Sequence, residues 1–316
     1  MKKNYWQSVR GLCILLVILI HTLYFTNSFY INLSNVITRR IINFCVAVFI
    51  FIAGYFTKIE KGFYKKKINR IVIPLIIWDV IYTIYFYIIN RISITFIGFV
   101  KDLIISSKGI HLYYLYVLIQ LFFLAPFLLK IKSSKIKYLP LFITPIYSTL
   151  IITLKILYNI DVPFYNYLIF GWISYYYLGL IINDLKVKNK KSLFYLTFLL
   201  TIVEGVVLFL YNTQLYNNAI SQLTTFNALY SIVICIILYN NYHEKSVDFF
   251  TKLGNYSFGI YLSHLLVLQF VKSFYSLINL NYYINVVVIY ITTVTICYFI
   301  NAFYYEKVRR LLIWKK

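Results

Sequence analysis

Arg10-Gly-Leu-Cys-Ile-Leu-Leu-Val-Ile-Leu-Ile-His21 places an arginine and a histidine at the two ends of an unbroken apolar run. Read as a helix, eleven residues at about 1.5 Å each separate the two by about 16 Å. At about 100° per residue they differ by only about 20° around the axis, so they share a face. The surrounding apolar segment, residues 9–28, is long enough to cross about 30 Å of hydrocarbon. An ionisable ring about halfway through such a segment is costly against lipid, and therefore marks a functional position.

Working outward, hydrophobic residues make up 61% of the 316 positions and charged residues 13%, which is the balance of a polytopic membrane protein rather than a soluble domain. Ten segments reach spanning length, near 9–28, 41–57, 71–90, 112–129, 138–158, 166–184, 193–211, 224–241, 256–276 and 284–304. The first is expected to remain as a helix, because it is about 20 residues long and lacks a small-residue cleavage site. With the N-terminus inside, cytoplasmic connectors and inner helix ends hold 24 of the 31 basic residues. The other seven, Arg39, Arg40, Arg91, Lys101, Lys108, Lys155 and Lys272, fall on outer connectors or outer helix ends. The expected fold is thus all-α, a polytopic integral membrane protein of about 10 transmembrane helices, both termini cytoplasmic, with residues 1–316 as one domain. A net charge of +22 raises the question of nucleic acid, but the lysines form short clusters between apolar runs rather than one basic face, so no nucleic-acid partner is expected. Cys13, Cys45, Cys235 and Cys297 all lie inside apolar runs without ligand spacing, so no metal is expected. The 91–111 piece, rich in Ile, Phe and Val, reads as a segment on the outer interface.

Of nine acidic residues, only Asp79 and Glu204 fall inside spans. Counted from the inner ends, Asp79 lies about 13 Å deep, Glu204 about 20 Å and His264 about 15 Å. With His21, four helices carry a titratable group near mid-membrane, and a shared polar chamber accounts for them economically. Plainer readings stand beside this. Asp79 and Glu204 also suit interhelical hydrogen bonding, and Lys65-Lys66-Lys67 with Arg70 suits a topology signal as well as an anion-binding mouth.

Arg10 followed by ten residues and then His21 resembles the first-helix signature of the acyltransferase family 3 membrane proteins. Phe49-Ile-Phe-Ile-Ala-Gly-Tyr55 is similar to that family's second-helix pattern, with Ala53 where serine is usual. Lys67-Ile-Asn-Arg70 with Pro74 and Trp78 resembles its basic approach to the third helix, with Lys67 where arginine is usual. Gly254-Asn-Tyr-Ser-Phe-Gly-Ile-Tyr-Leu-Ser-His264 looks like its near-terminal Tyr-Leu-x-His element. The block His111 to Gln120 resembles the fourth-helix region but has Tyr113-Tyr114-Leu115 and Leu118 where one branch has Trp-Ser-Leu and a glutamate. Ile169-Phe-Gly-Trp-Ile-Ser-Tyr-Tyr-Tyr-Leu-Gly179 is similar to the polysaccharide intercellular adhesin acyltransferases, proposed to O-succinylate an amino-sugar polymer.

The resemblance implies a multi-pass enzyme of the bacterial plasma membrane that moves an acyl group from cytoplasmic acyl-CoA to a hydroxyl of a surface polysaccharide. Acetyl-CoA is the commoner family donor, and succinyl-CoA remains open. Arg10, Lys67 and Arg70 would meet the donor's phosphates, guanidinium giving two-pronged contacts that ammonium does not. His21 would act as general base or transient acyl carrier. Asp79 or Glu204 would orient it, and His264, Gln120, Tyr113 and Tyr261 would bind the thioester oxygen or the substrate. Membrane lipids are the remaining partners, and whether a second copy of the chain joins them stays open. The principal alternative is a transporter or polysaccharide exporter using the same buried groups. Against it stand the absence of an internal repeat of the span pattern and of matched Gly/Pro-broken helices.

Overall fold

The computed structural model describes residues 2–26, 33–91, 95–185, 190–211, 215–242, 246–275 and 281–313. Lys186, Lys188, Glu244, Lys245, Lys315 and Lys316, and the expected span ends at 27–28 and 276, lie outside the described residues. The described residues are 84% helix and contain no strand. The helices are α1 Lys2–Thr26, α2 Leu33–Ile42, α3 Phe44–Tyr55, α4 Phe63–Lys67, α5 Ile73–Ile89, α6 Phe96–Ile104 and α7 Tyr113–Lys132. They continue with α8 Pro140–Tyr158, α9 Ile173–Ile181, α10 Lys191–Tyr211, α11 Tyr216–Ala219, α12 Thr225–Asn240, α13 Asp248–Tyr275 and α14 Tyr282–Ile313.

Eight candidate spans among the described residues are long and apolar enough to cross a membrane: Asn4–Tyr24, Leu33–Tyr55, Phe63–Ile89, Ile110–Lys132, Pro140–Tyr158, Lys191–Tyr211, Asp248–Tyr275 and Tyr282–Tyr304. The expected span at 224–241 is the 16-residue α12, about 24 Å at 1.5 Å per residue and short for the hydrocarbon core. The expected span at 166–184 is broken into 3₁₀ turns at Tyr165–Tyr167, Ile169–Gly171 and Ile182–Asp184 around α9. All nine residues of α9 are buried. A helix apolar on every side suits a protein interior as well as lipid, and hydropathy does not distinguish the two.

One expectation is corrected. The second span starts at Leu33, not near 41, and carries Arg39 and Arg40 within it rather than on an outer connector. Arg40 is fully buried. The helix bends at Asn43, whose amide donates to the carbonyls of Ile220 and Ser221 at 3.0 and 3.2 Å.

The chain divides into two compact units, one of Met1–Phe49, Val187–Gln222 and Leu229–Lys316, the other of Ile50–Lys186 and Leu223–Ala228. In the first, α1 packs along α13, and α14 joins both. The Tyr290 hydroxyl of α14 donates to the Leu15 carbonyl (3.3 Å), and Asn301 donates to Ser263 Oγ (3.3 Å). In the second, α5, α7, α8 and α9 are accompanied by α6, whose Phe96, Ile97 and Ile104 are exposed by 81%, 69% and 66%. That amphipathic face is what a helix lying on the interface presents to lipid.

Candidate active site

The first unit is organised by two glycines. A Cβ built on Gly11 would lie 1.9 Å from the Phe250 carbonyl oxygen, and one on Gly254 would lie 1.8 Å from that of Gln7. At this crossing the two backbones touch, which only glycine permits. Ser8 and Thr251 share a hydroxyl hydrogen bond of 2.7 Å beside it. From the crossing, α1 and α13 run parallel. His21 lies ten residues beyond Gly11 and His264 ten beyond Gly254, so equal rises of about 15 Å bring both imidazoles to one level. Their ring centroids are 5.1 Å apart with a tilt of 52°.

His264 is fully buried. Its Nδ1 lies 2.6 Å from the Tyr261 carbonyl oxygen. A carbonyl only accepts, so Nδ1 carries the proton and Nε2 holds the ring lone pair. The Tyr261 ring lies 5.9 Å from that of His264, so Tyr261 belongs with the histidine pair. His21 is half-buried. Helix α1 is unbroken from Lys2 to Thr26, so the 16 Å, one-face relation between Arg10 and His21 holds as for an ideal helix. Arg10, also half-buried, donates to Gln7 Oε1 at 3.3 Å, at the level of the glycine crossing. His21 lies within the candidate span Asn4–Tyr24.

Glu204 faces Arg40. The guanidinium donates to the carboxylate at 3.1 Å, to the Ala219 carbonyl at 2.6 Å and to that of Asn218 at 3.3 Å. The side chains are 0% and 11% exposed. Arg39 donates to the carbonyl of Ile20, the residue before His21, at 3.1 Å, and to that of Ile220 at 3.3 Å. Sequence reasoning passed over both arginines. The usable signal was an Arg-Arg pair at the edge of an apolar run, with a membrane-depth glutamate in need of a cation.

In the second unit, Lys67 ends α4 and Arg70 lies in a π-helical turn over Ile68–Val72. Pro74, at the start of α5, lacks the N–H that would reach the Arg70 carbonyl, and its ring crowds that oxygen, so the turn widens. The Lys67 ammonium sits 3.8 Å from the Phe122 ring centroid and 5.3 Å from that of Phe63, a cation–π contact. Arg70 is exposed. Further along, Asp79 is 3% exposed, with Ser106 near its carboxyl. Gln120 donates to the Tyr167 carbonyl at 2.7 Å, and the Tyr113 ring lies between those of Tyr167 and Trp172, 6.0 and 5.7 Å away. Tyr113, Tyr116 and Gln120 lie on one face of α7 by their i, i+3, i+7 spacing. Among the described residues no group of three His, Cys, Asp or Glu is placed to hold a metal.

The apolar, spanning-length helices define an integral membrane protein. The chain matches the acyltransferase domain family, acyltransferase family 3, over residues 3–313, and belongs to it. It is a membrane acyltransferase. No curated protein and no solved structure matches the chain.

Proposed function

We propose that this acyltransferase carries an acyl group from cytoplasmic acyl-CoA to a hydroxyl of a surface glycan in the bacterial plasma membrane, with both termini in the cytoplasm. Acetyl is the favoured group, and succinyl is the second candidate. The reading is supported above all by the unbroken α1, which sets Arg10 and His21 about 16 Å apart on one face. Pantetheine is a slim linear chain of comparable reach. A donor whose phosphates meet the Arg10 guanidinium therefore lays its thioester along α1 toward His21.

As a general base, His21 takes the proton of the acceptor hydroxyl while the oxygen attacks the thioester carbonyl. Collapse of the tetrahedral intermediate expels the thiolate, which recovers that proton. As an acyl carrier, the imidazole attacks first and releases the thiolate; the acceptor oxygen then displaces imidazole from the acyl carbon, and the hydroxyl proton passes to the thiolate. The neighbouring His264 imidazole, with its proton held on Nδ1, favours either route by accepting at Nε2 a hydrogen bond from the imidazolium that forms on His21. Glu204 is assigned to hold Arg40 rather than to orient His21. Asp79 is assigned to the acceptor side, and Lys67 and Arg70 to anion contacts within their own unit.

The experiment is isotope-labelled acyl-CoA offered to the purified protein in nanodiscs, with oligosaccharides from the surface polysaccharide as acceptor. Label enters the oligosaccharide with wild type and not with His21→Ala at equal expression and insertion. Near-normal transfer by His21→Ala refutes the role of the ring. Oligosaccharide flux without thioester consumption would instead establish the exporter.

A further inference from the structure

Asp79 and Thr83 are one turn apart on the same face of α5 and are 3% and 0% exposed. Among the described residues, Asp79 Oδ1 and Thr83 Oγ1 have no hydrogen-bond partner. A buried polar atom left so is costly, more when charged, and folds rarely retain two side by side without use. Ser106 lies near the Asp79 carboxyl, and its hydroxyl meets the Tyr116 hydroxyl at 3.2 Å.

The cover over this place is a separate piece of chain. α6 and the connector after it are held by the Tyr116 hydroxyl, 3.2 Å from the carbonyls of both Leu103 and Ile104, and by the Tyr167 hydroxyl on the Ile105 carbonyl at 3.1 Å. Ser106 itself has φ of 45°, a left-handed conformation that a serine adopts at a cost. A second latch lies at Asp102, which accepts from Tyr87 at 3.0 Å and from Ser107 at 2.5 Å, and pairs with Lys108 at 3.4 Å. Sealed acceptors thus lie beneath a strained cover that is fastened by hydroxyls, with the Tyr113 and Tyr167 rings alongside.

We infer that Asp79, Thr83, Ser106 and Tyr116, with the Tyr113 and Tyr167 rings, form a sugar-binding subsite that holds the acceptor glycan through its hydroxyls. A carboxylate accepts only, so its partner must be a donor. Oxygens one turn apart on a helix face suit neighbouring hydroxyls of a pyranose, and aromatic faces suit its C–H side. A metal would need further ligands, which the described residues do not group here. The assignment of the ligand as acceptor rests on the acyl-transfer reading above.

The test uses the full chain in nanodiscs, titrated with size-fractionated oligosaccharides released from the surface polysaccharide of the producing cells. Binding and labelled-acyl consumption are measured separately. Asp79→Asn and Thr83→Val keep the side-chain shape, and Tyr113→Ala removes a ring. Each is expected to raise the oligosaccharide Kd, Asp79→Asn by tenfold or more, and to raise the acceptor KM by more than it lowers kcat. Unchanged Kd in monodisperse Asp79→Asn and Thr83→Val protein overturns the subsite, as does wild type that binds no oligosaccharide. Wild type that binds oligosaccharide in an Asp79-dependent way but consumes no acyl-CoA upholds the subsite and refutes the acyl-transfer reading.

Discussion

Replacing Gly254 by alanine tests whether the histidine pair is set by the helix crossing beneath it. The new Cβ would lie 1.8 Å from the Gln7 carbonyl oxygen, against the 3.0 Å that real Cβ contacts respect. Both sides of the contact are backbone, so no side chain can swing away. The helices must part or slide by at least the shortfall, about 1.2 Å. Overfilling of this kind costs about 1–3 kcal/mol, which leaves a foldable protein. Misplacement of reacting groups by about 1 Å costs on the order of 10²-fold in rate, and here the displaced group is an imidazole 5.1 Å from its neighbour. Gly254→Ala is therefore expected to fold, insert and lose about two orders of magnitude in acyl transfer, measured with labelled acyl-CoA in nanodiscs beside a thermal unfolding curve. Gly11→Ala relieves itself by the same displacement, so the double variant should be far less impaired than the product of the singles. Gly254→Ala with transfer within about threefold of wild type and a normal unfolding curve would refute the reasoning.

Arg10→Ala should raise the acyl-CoA KM more than it lowers kcat, and Arg10→Lys should restore only part of the loss, since ammonium lacks the planar fork. Steady-state kinetics over a range of donor concentrations decide this. Glu204→Gln strands the fully buried Arg40 guanidinium and should lower stability by about 3–5 kcal/mol, whereas Arg40→Met with Glu204→Leu should recover most of it. Thermal unfolding in detergent compares the three proteins. Burial raises the Asp102 carboxyl, but hydrogen bonds from Ser107 and Tyr87 and the Lys108 ammonium outweigh it and hold the group below the ordinary carboxylate range. The unfolded chain, at about 3.9, binds this proton at a higher pH than the fold does. The latch thus contributes fully above about pH 5 and is lost as pH falls through the folded value. Hydrogen exchange at 96–108, corrected for intrinsic rates, should accelerate over that window in wild type and stay level in Asp102→Asn.

The first helix was legible because its signal is local. Arg10 and His21 share one unbroken element, and their relation follows from helix geometry alone. The parallel spacing from Gly254 to His264 was also present in the sequence, but that these two elements touch at Gly11 and Gly254 is a long-range fact. That Asp79 and Glu204 fall inside spanning-length helices was legible, yet position along a helix does not name a neighbour. Helix rotation and the lateral partner decide whether a carboxylate meets Arg40 or Ser106. Arg40 was misplaced because counting charges assumes that a basic residue beside an apolar run stays in water. Its carboxylate partner, 164 residues away, removes that assumption. The segment at 166–184 was apolar enough to resemble a span, but its α-helix is only Ile173–Ile181, flanked by 3₁₀ turns.

The equal intervals from the glycine contact to the two imidazoles have a consequence for life in a changing bilayer. When lipid thins or thickens, helices tilt and ride up or down to match it. Rings counted off from a common pivot travel together, so their mutual spacing is insulated from the thickness of the surrounding lipid. A single inserted residue on either arm, by contrast, would swing one ring about 100° away and lift it about 1.5 Å, uncoupling the pair at a stroke.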